Sequence, residues 1–352
     1  MIDPNDVMSL IEAAEQIKPP STYLSDVFFP NVEVVPQATV MMEYRKRGRE
    51  KLAPYVVEGS KGVNVKREGS VLRTYSPPMV APRRVLTQTD VTRRAFGEMP
   101  VFSTVSAEER QAKIQADDLV DLITMVSNRK NQQASELLRT GKITVEGLAD
   151  DNRLTRLDEI DFGWDGDMTS TIGTQWSQTT AKIFDDLQAM SEKIQEDVGV
   201  VPTLLIVGKN VPGYLRKNKE LLDWLMIPNR QNATVASIDP KYTAPNVMRV
   251  GRIDALNLEV VCYNETYTAD DGTLTPYVGA NDVILGVPGR GKCIHSAVTL
   301  LEQDGGFGQY AAEYVPRYTT SLESNQRVLT LWSRFILLPA WTGDFVYAKV
   351  AS

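Results

Sequence analysis

The sequence predicts an α+β fold in which one long helix is flanked by β-prone stretches and a second domain is inserted after it, and three observations predict it. Residues 106–140 read as a single helix with a start signal, an apolar stripe and a stop. β-Prone stretches flank that helix: short pieces within residues 44–78 ahead of it, and two strong runs, Gln326–Leu338 and Asp344–Val350, at the end. Between them lies a stretch that alternates helical and buried-strand patterns, as a second domain would. With 352 residues, 42% hydrophobic and 24% charged, the chain is long enough for two domains and too apolar for disorder.

The elements follow in order. Asp6 to about Ile17 predicts a short amphipathic helix, because Val7, Leu10, Ile11 and Ala14 recur at helical spacing and the Pro19-Pro20 pair ends it. An extended, proline-spaced tract through Phe28-Phe29-Pro30 and Val35-Pro36 completes an N-terminal arm, residues 1–43. Residues 44–78 predict a β ribbon whose pieces (54–57, 62–65, 71–75) are separated by Gly48, Gly59, Gly62 and Gly69. A lone hairpin is marginal in water, so the ordering of such an arm needs contacts from elsewhere, and the expected source is another subunit. Val80–Thr92 alternates like a strand.

Ser106 and Glu109 form a capping box, Leu119, Leu122, Ile123 and Val126 make an apolar stripe, and Gly141 stands at C′. At 1.5 Å per residue this helix is about 50 Å long. Asn128–Gln133 is polar, so only part of the helix is expected to pack on a sheet. Strands follow at 142–145 and 159–162, and a Thr/Ser/Gly-rich bridge, 165–178, reads as a linker. The second domain, 179–292, opens with a helix striped by Ile183, Leu187, Met190, Ile194 and Val198 and stopped by Gly199. It continues with a buried strand at 203–207, helices at about 211–217 and 219–226, and strands at 258–263, 276–278 and 283–285, with a hairpin turn at Asp270-Asp271-Gly272. Residues 293–352 return to the first domain, 79–178, and both C-terminal runs are expected to close it.

Charge is uneven. Residues 41–100 hold thirteen Lys/Arg against six Asp/Glu, net +7, leaving −14 for the rest of a chain whose total is −7. A basic arm on an acidic body binds nucleic acid or the acidic body of an identical neighbour. The arm lacks the interleaved aromatic platforms of a single-strand binder, which favours self-association. The N-terminus is acidic where a secretory signal would be basic, and no run of about 18 apolar residues occurs. The chain reads as a cytoplasmic product, not a membrane protein, so the sequons at Asn232 and Asn264 have no role. Cys262 and Cys293 fit buried strand positions, and the single histidine, His295, leaves the common zinc sets and most acid–base relays unavailable.

Chemical motifs are outweighed by plainer readings. Gly286-Val287-Pro288-Gly289-Arg290-Gly291-Lys292-Cys293 matches the G-x-x-x-x-G-K phosphate loop and follows a strand. Cys293 replaces the magnesium-binding hydroxyl, Pro288 removes a backbone N–H, and Ile294–Leu300 reads as a strand where a phosphate-holding helix is needed. The segment is therefore read as a glycine-rich crossing between domains. Asp161-Phe162-Gly163 mimics a kinase signature without the other kinase motifs, and chance is the better account. The acidic clusters (Asp117/118/121, Asp150/151, Asp165/167, Asp185/186) lack metal-site spacing. No catalytic residue, cofactor or metal is expected.

The order of segments and several local sequences resemble the major head proteins of tailed phages, lambda type, with the Hong Kong 97-like capsid fold. The residues that resemble the family are Phe28-Phe29-Pro30, Arg73–Arg83, Glu136–Lys142 and Thr171–Ser177, spread over nearly the whole chain. The resemblance implies an N-arm, an E-loop at 44–78, a spine helix at 106–140, a peripheral (P) domain and an axial (A) domain at 179–292. It implies self-assembly through hexamers and pentamers into an icosahedral head enclosing double-stranded DNA, with a separate scaffold protein, a portal and often a decoration protein. The expected assembly residues on the E-loop are Arg45, Lys46, Arg47, Arg49, Lys66, Arg67, Arg73 and Tyr75. The alternatives are the shell of a cellular encapsulin-like nanocompartment and a P-loop nucleotide-binding enzyme.

Overall fold

A computed structural model describes residues 7–17, 22–44, 55, 71–92, 106–148, 154–163, 168–218, 237–244, 246–302, 305–321 and 326–351. The expected helix at 219–226 lies outside them. The chain begins with α1 (Val7–Gln16), α2 (Tyr23–Phe28), β1 (Asn31–Val35) and the strands β2 (Val40–Tyr44) and β3 (Val71–Tyr75), which pair with each other at the foot of the ribbon. The stretch read as one strand, 80–92, divides into β4 (Met79–Val80), β5 (Arg83–Thr87) and a short α3 (Gln88–Thr92). Then come α4 (Ala107–Thr140) and the hairpin of β6 (Lys142–Leu148) and β7 (Leu154–Asp161).

The middle of the chain supplies α5 (Ile183–Val198), β8 (Leu204–Val207), α6 (Val211–Lys217), β9 (Ser237–Ala244), β10 (Val247–Ile253), β11 (Leu258–Tyr263), β12 (Thr266–Thr268), β13 (Leu274–Pro276) and β14 (Asp282–Gly286). The last part holds β15 (Lys292–Ser296), β16 (Val298–Leu301), β17 (Phe307–Tyr310), β18 (Val315–Ser321), β19 (Gln326–Leu338) and β20 (Phe345–Lys349).

Two six-stranded sheets result. In the first, the order is β1-β15-β19-β18, with β4 and β5 also pairing along the 13-residue β19. The second has the order β20-β14-β8-β11-β10-β9. Both C-terminal runs were expected in one domain, and here the structure differs: β19 belongs to the first sheet, whereas β20 pairs antiparallel with β14 in the second. A 3-10 turn at Thr342–Asp344 redirects the chain, and β20 fits the second sheet because Phe345, Val346 and Ala348 are all buried there, on both of its faces.

The spine α4 forms as its sequence dictates. Glu109 N–H donates to Ser106 Oγ at 3.1 Å and Ser106 N–H to Glu109 Oε2 at 3.0 Å, closing the capping box. At the other end Gly141, with φ +68°, donates to the Leu137 carbonyl at 2.9 Å. Its apolar side, including Leu122, Ile123, Val126, Leu137 and Leu138, packs into a core shared by both sheets. Much of the polar stretch that was expected to stand away from the core is instead buried: Lys130, Asn131 and Gln133 lie inside, while Asn128 is exposed. The reason is hydrogen bonding. Asn131 Oδ1 accepts the N–H groups of Leu24 (3.1 Å) and Ser25 (3.3 Å) at the start of α2, and its Nδ2 donates to Tyr263 Oη at 2.8 Å. Lys130 meets Glu313 beside the first sheet, while Ser135 donates to the Tyr277 carbonyl beside the second. One helix thus fastens both sheets through polar side chains.

The second sheet is covered on its other face by α5 and α6, and α1 packs over β16, β17 and β18. The bridge read as a linker is tied down where it is described. Trp176 is buried, its N–H donates to the Val350 carbonyl at 2.9 Å and its Nε1 to Asp186 Oδ2 at 2.8 Å. Among the described residues no helix is long and apolar enough to cross a membrane.

Candidate assembly interface

Of the eight residues singled out on the ribbon, Arg45, Lys46, Arg47, Arg49, Lys66 and Arg67 lie outside the described residues, and Arg73 and Tyr75 lie at its foot. β2 and β3 pair from Val40↔Tyr75 to Tyr44↔Val71. The two ends of the 26-residue segment between them, 45–70, are therefore side by side at the foot. They carry eight Lys/Arg against three Asp/Glu. On the foot, Met41 and Leu72 are exposed on one face. The opposite face is held by the subunit itself. Tyr75 is buried with its ring 5.2 Å from that of Phe162, and Arg73 Nη1 donates to the Asp161 carbonyl at 3.0 Å.

The seat for this foot is the tripeptide Asp161-Phe162-Gly163, which the sequence presented only as a chance match to a kinase signature. Gly163 adopts φ +74°, and a Cβ there would lie 2.7 Å from the Arg73 guanidinium. Asp161 Oδ1 accepts the Gly163 N–H at 2.7 Å, and its Oδ2 meets Lys142 Nζ at 3.0 Å. The Gly163 N–H, then Lys142 and Arg73, hold the Asp161 carboxyl below the usual range against the opposing effect of burial. A glycine just past a strand end was the one signal available, and it does not name its guest.

Acidic side chains also lie on the spine, more than 20 residues before the seat. Asp118 is pushed up by partial burial and by the charges of Asp121, Asp117 and Asp90, with Arg84 opposing. Arg84 reaches Asp121 at 3.3 Å, and both side chains are exposed. On β6 and β7, Lys142 bridges Glu159 (2.9 Å) and Asp161.

The glycine-rich segment 286–292 is the crossing from β14 in the second sheet to β15 in the first, and a strand follows it. Its amides are already used: Gly289 N–H donates to the Val27 carbonyl at 2.8 Å and Gly291 N–H to that of Phe28 at 2.9 Å. Phe29 packs where a Gly291 Cβ would stand, 2.2 Å away. Lys292 pairs with Glu33 at 2.5 Å, and Arg290 with the buried Asp344 at 3.1 Å. Burial pushes the Asp344 carboxyl up to about 6, with Asp197 adding to the effect and Arg290 and the Trp341 N–H opposing it. The segment is a structural wrap around the end of α2.

Beneath the spine, Cys293 and His295 lie side by side, Sγ and Nε2 3.4 Å apart and both fully buried. Burial pushes the His295 imidazole down to about 3, the Lys130 charge adding to the effect and Glu313 opposing it, so the ring is neutral. Burial likewise pushes the Cys293 thiol up to about 11. A neutral imidazole beside a protonated thiol is a packed polar pair, not an activated nucleophile.

A sequence model described as phage major capsid protein E matches residues 6–341. The chain belongs to that family. As a major capsid protein it is a component of the virion, and its role is structural, not enzymatic. A solved structure described as a prophage capsid protein of E. coli CFT073 is similar with a TM-score of 0.67 at 18% identity, covering 98% of this chain and 97% of that one. A phage-related protein from Bordetella bronchiseptica RB50 is similar with a TM-score of 0.54 at 11% identity, over 99% and 97% of the two chains. These likenesses show the fold of the capsid protein, the expected Hong Kong 97-like one. An encapsulin from Synechococcus elongatus PCC 7942 has a TM-score of 0.47 at 9% identity over 97% and 95% of the two chains, too low to weigh. No curated protein sequence matches the chain.

Proposed function

We propose that this capsid protein assembles through hexamers and pentamers into an icosahedral head around double-stranded DNA, and that the ribbon 44–78 is its E-loop, lying on an acidic face of a neighbouring subunit. In this reading the first sheet with the spine is the P domain and the second sheet with α5 and α6 is the A domain. Assembly takes place in the host cytoplasm with a separate scaffold and a portal, and a decoration protein binds the finished shell.

The observation that supports the reading best is the paired foot. A 26-residue segment of net charge +5 starts and ends at one point of a subunit whose remainder is acidic. Each exposed ion pair it forms contributes only a few tenths of a kcal/mol, but the pairs recur around every capsomer. The acidic body suits a container, because a wall of unpaired Lys/Arg would hold packaged DNA in a salt-dependent way. Electron microscopy of the expressed protein, with scaffold supplied, tests the proposal. Icosahedral particles with capsomers of six and five are expected, and only monomers or open sheets at assembly concentrations would refute it. DNA, not an enzyme, is the expected content of particles from infected cells.

A further inference from the structure

We propose that Arg73 and Tyr75 are positioning residues that fix the direction in which the basic ribbon leaves the subunit, by clamping its foot onto Asp161, Phe162 and Gly163. The proposal rests on the reading of the ribbon as the assembly contact, and it changes the part played by these two residues from touching a neighbour to aiming the segment that does.

The foot has no other means of orientation in the sheets. Among the described residues β2 and β3 pair only with each other and join neither six-stranded sheet. A two-stranded ribbon held at one point pivots about it. Here β3 supplies two, beside the buried Val40 of β2. Residues 73 and 75 share one face of β3, about 6.6 Å apart along the strand. One contact is a ring pair, Tyr75 on Phe162 with centroids 5.2 Å apart, and the other is the hydrogen bond from Arg73 to the Asp161 carbonyl.

The seat is itself braced. The Phe162 N–H donates to the Gly141 carbonyl at 3.3 Å, and Gly141 is the residue that ends α4. Lys142 and the Gly163 N–H hold the two oxygens of Asp161. Gly163 leaves open the space that the guanidinium fills, and its φ of +74° suits glycine. A short path of hydrogen bonds and ring contact therefore runs from the C-terminal end of the spine to the ribbon.

The test is double electron–electron resonance on the unassembled full-length subunit, with spin labels at Leu72→Cys on the exposed face of the foot and Asn128→Cys on the exposed side of the spine. The native Cys262 and Cys293 are buried away from the label. Without further change a single narrow distance distribution is expected. Arg73→Ala should broaden and shift it while the melting transition of the subunit stays in place, Gly163→Ala should do the same with a somewhat lower melting temperature because alanine is strained at φ +74°, and Arg73→Lys should restore part of the narrow component. The same variants, unlabelled, should give fewer closed particles and more aberrant ones. A broad distribution in the parent protein, an unchanged distribution in both variants, or normal particles despite a broadened one would each overturn the proposal. Failure of the ribbon reading is seen separately, as normal particles after charge reversal at Arg45, Arg47 and Arg49.

Discussion

Lys130 on the spine and Glu313 ahead of β18 form an ion pair with Nζ and Oε1 2.7 Å apart, and only a tenth of the lysine side chain is exposed. Burial opposes the lysine charge, but the carboxylate of Glu313, joined at high pH by ionised Cys293 and Tyr314, more than offsets it and holds the ammonium above its ordinary range. On the other side burial pushes Glu313 up, yet the charge and hydrogen bond of Lys130 bring its carboxyl below the usual value. Both groups are thus charged, next to a neutral histidine. Lys130→Met leaves Glu313 half-buried and without its cation. A loss of about 3 kcal/mol is expected in urea unfolding, at the lower end for a broken buried pair; a loss under 1 kcal/mol would show that the carboxylate finds water instead.

Acid acts on this cluster and on Asp344 with opposite signs. His295 has a folded value depressed to about 3, so its contribution is fully present above the unfolded value of 6.5 and is lost as pH falls toward 3. Glu313, also depressed, adds to the loss at the acid end. Asp344 has a folded value raised to about 6, so its contribution is fully present below 3.8 and is lost as pH rises through 6. Between pH 4 and 6.5 the two effects oppose each other. Melting scans across this window should show His295→Phe gaining relative stability as pH falls, and Asp344→Asn losing the relative advantage it holds at pH 7.5. Parallel curves for all three proteins would remove both assignments.

Charge reversal of the ribbon, Arg45, Arg47 and Arg49 all to Glu, should leave the circular dichroism melt of the subunit unchanged and abolish closed shells in sedimentation and microscopy. Normal shells would take the ribbon out of the assembly contact. An unfolded subunit would place it in the core of its own chain.

The glycine-rich crossing should respond to shape and not to nucleotide. Lys292→Ala removes an exposed pair with Glu33 and should cost under about 1 kcal/mol. Gly291→Val drives a side chain into Phe29 and should cost several times more. Mg-ATP should leave the melting temperature where it is, and a rise of several degrees would mean a nucleotide site.

Phe335 is fully buried in β19, its ring 5.8 Å from that of His295. Phe335→Ala should cost about 3–5 kcal/mol, read from chemical denaturation. Deleting residues 345–352 should do more harm than the same number of residues taken from the N-terminus, because it removes a whole edge of the second sheet. Soluble, assembling protein after that deletion would show the edge to be dispensable.

What was legible in the sequence was local. The spine could be read to the residue because Ser106, Glu109 and Gly141 act within one turn of its ends, and α5 because its stripe ends at Gly199. The partners of polar side chains were not legible. Asn131 looked solvated because nothing near it in sequence announces the bare amides of Leu24 and Ser25, more than 100 residues earlier. Strands β9, β10, β17 and β18 escaped because their patterns mix polar and apolar residues, which only pairing explains. The destination of β20 was invisible for the same reason: two adjacent strand signals do not say that the chain changes sheets between them. At the candidate interface, the ribbon's charge was plain, while its seat at 161–163 was hidden in a motif that suggested other chemistry.

The route of β20 also orders events during synthesis. Its neighbour β14 and the next strand inward, β8, leave the ribosome 59 and more residues before it, yet the second sheet keeps an unfilled edge until residues 345–349 arrive. A chain that stops before residue 345 presents that open edge to its neighbours, and only synthesis through residue 349 closes it.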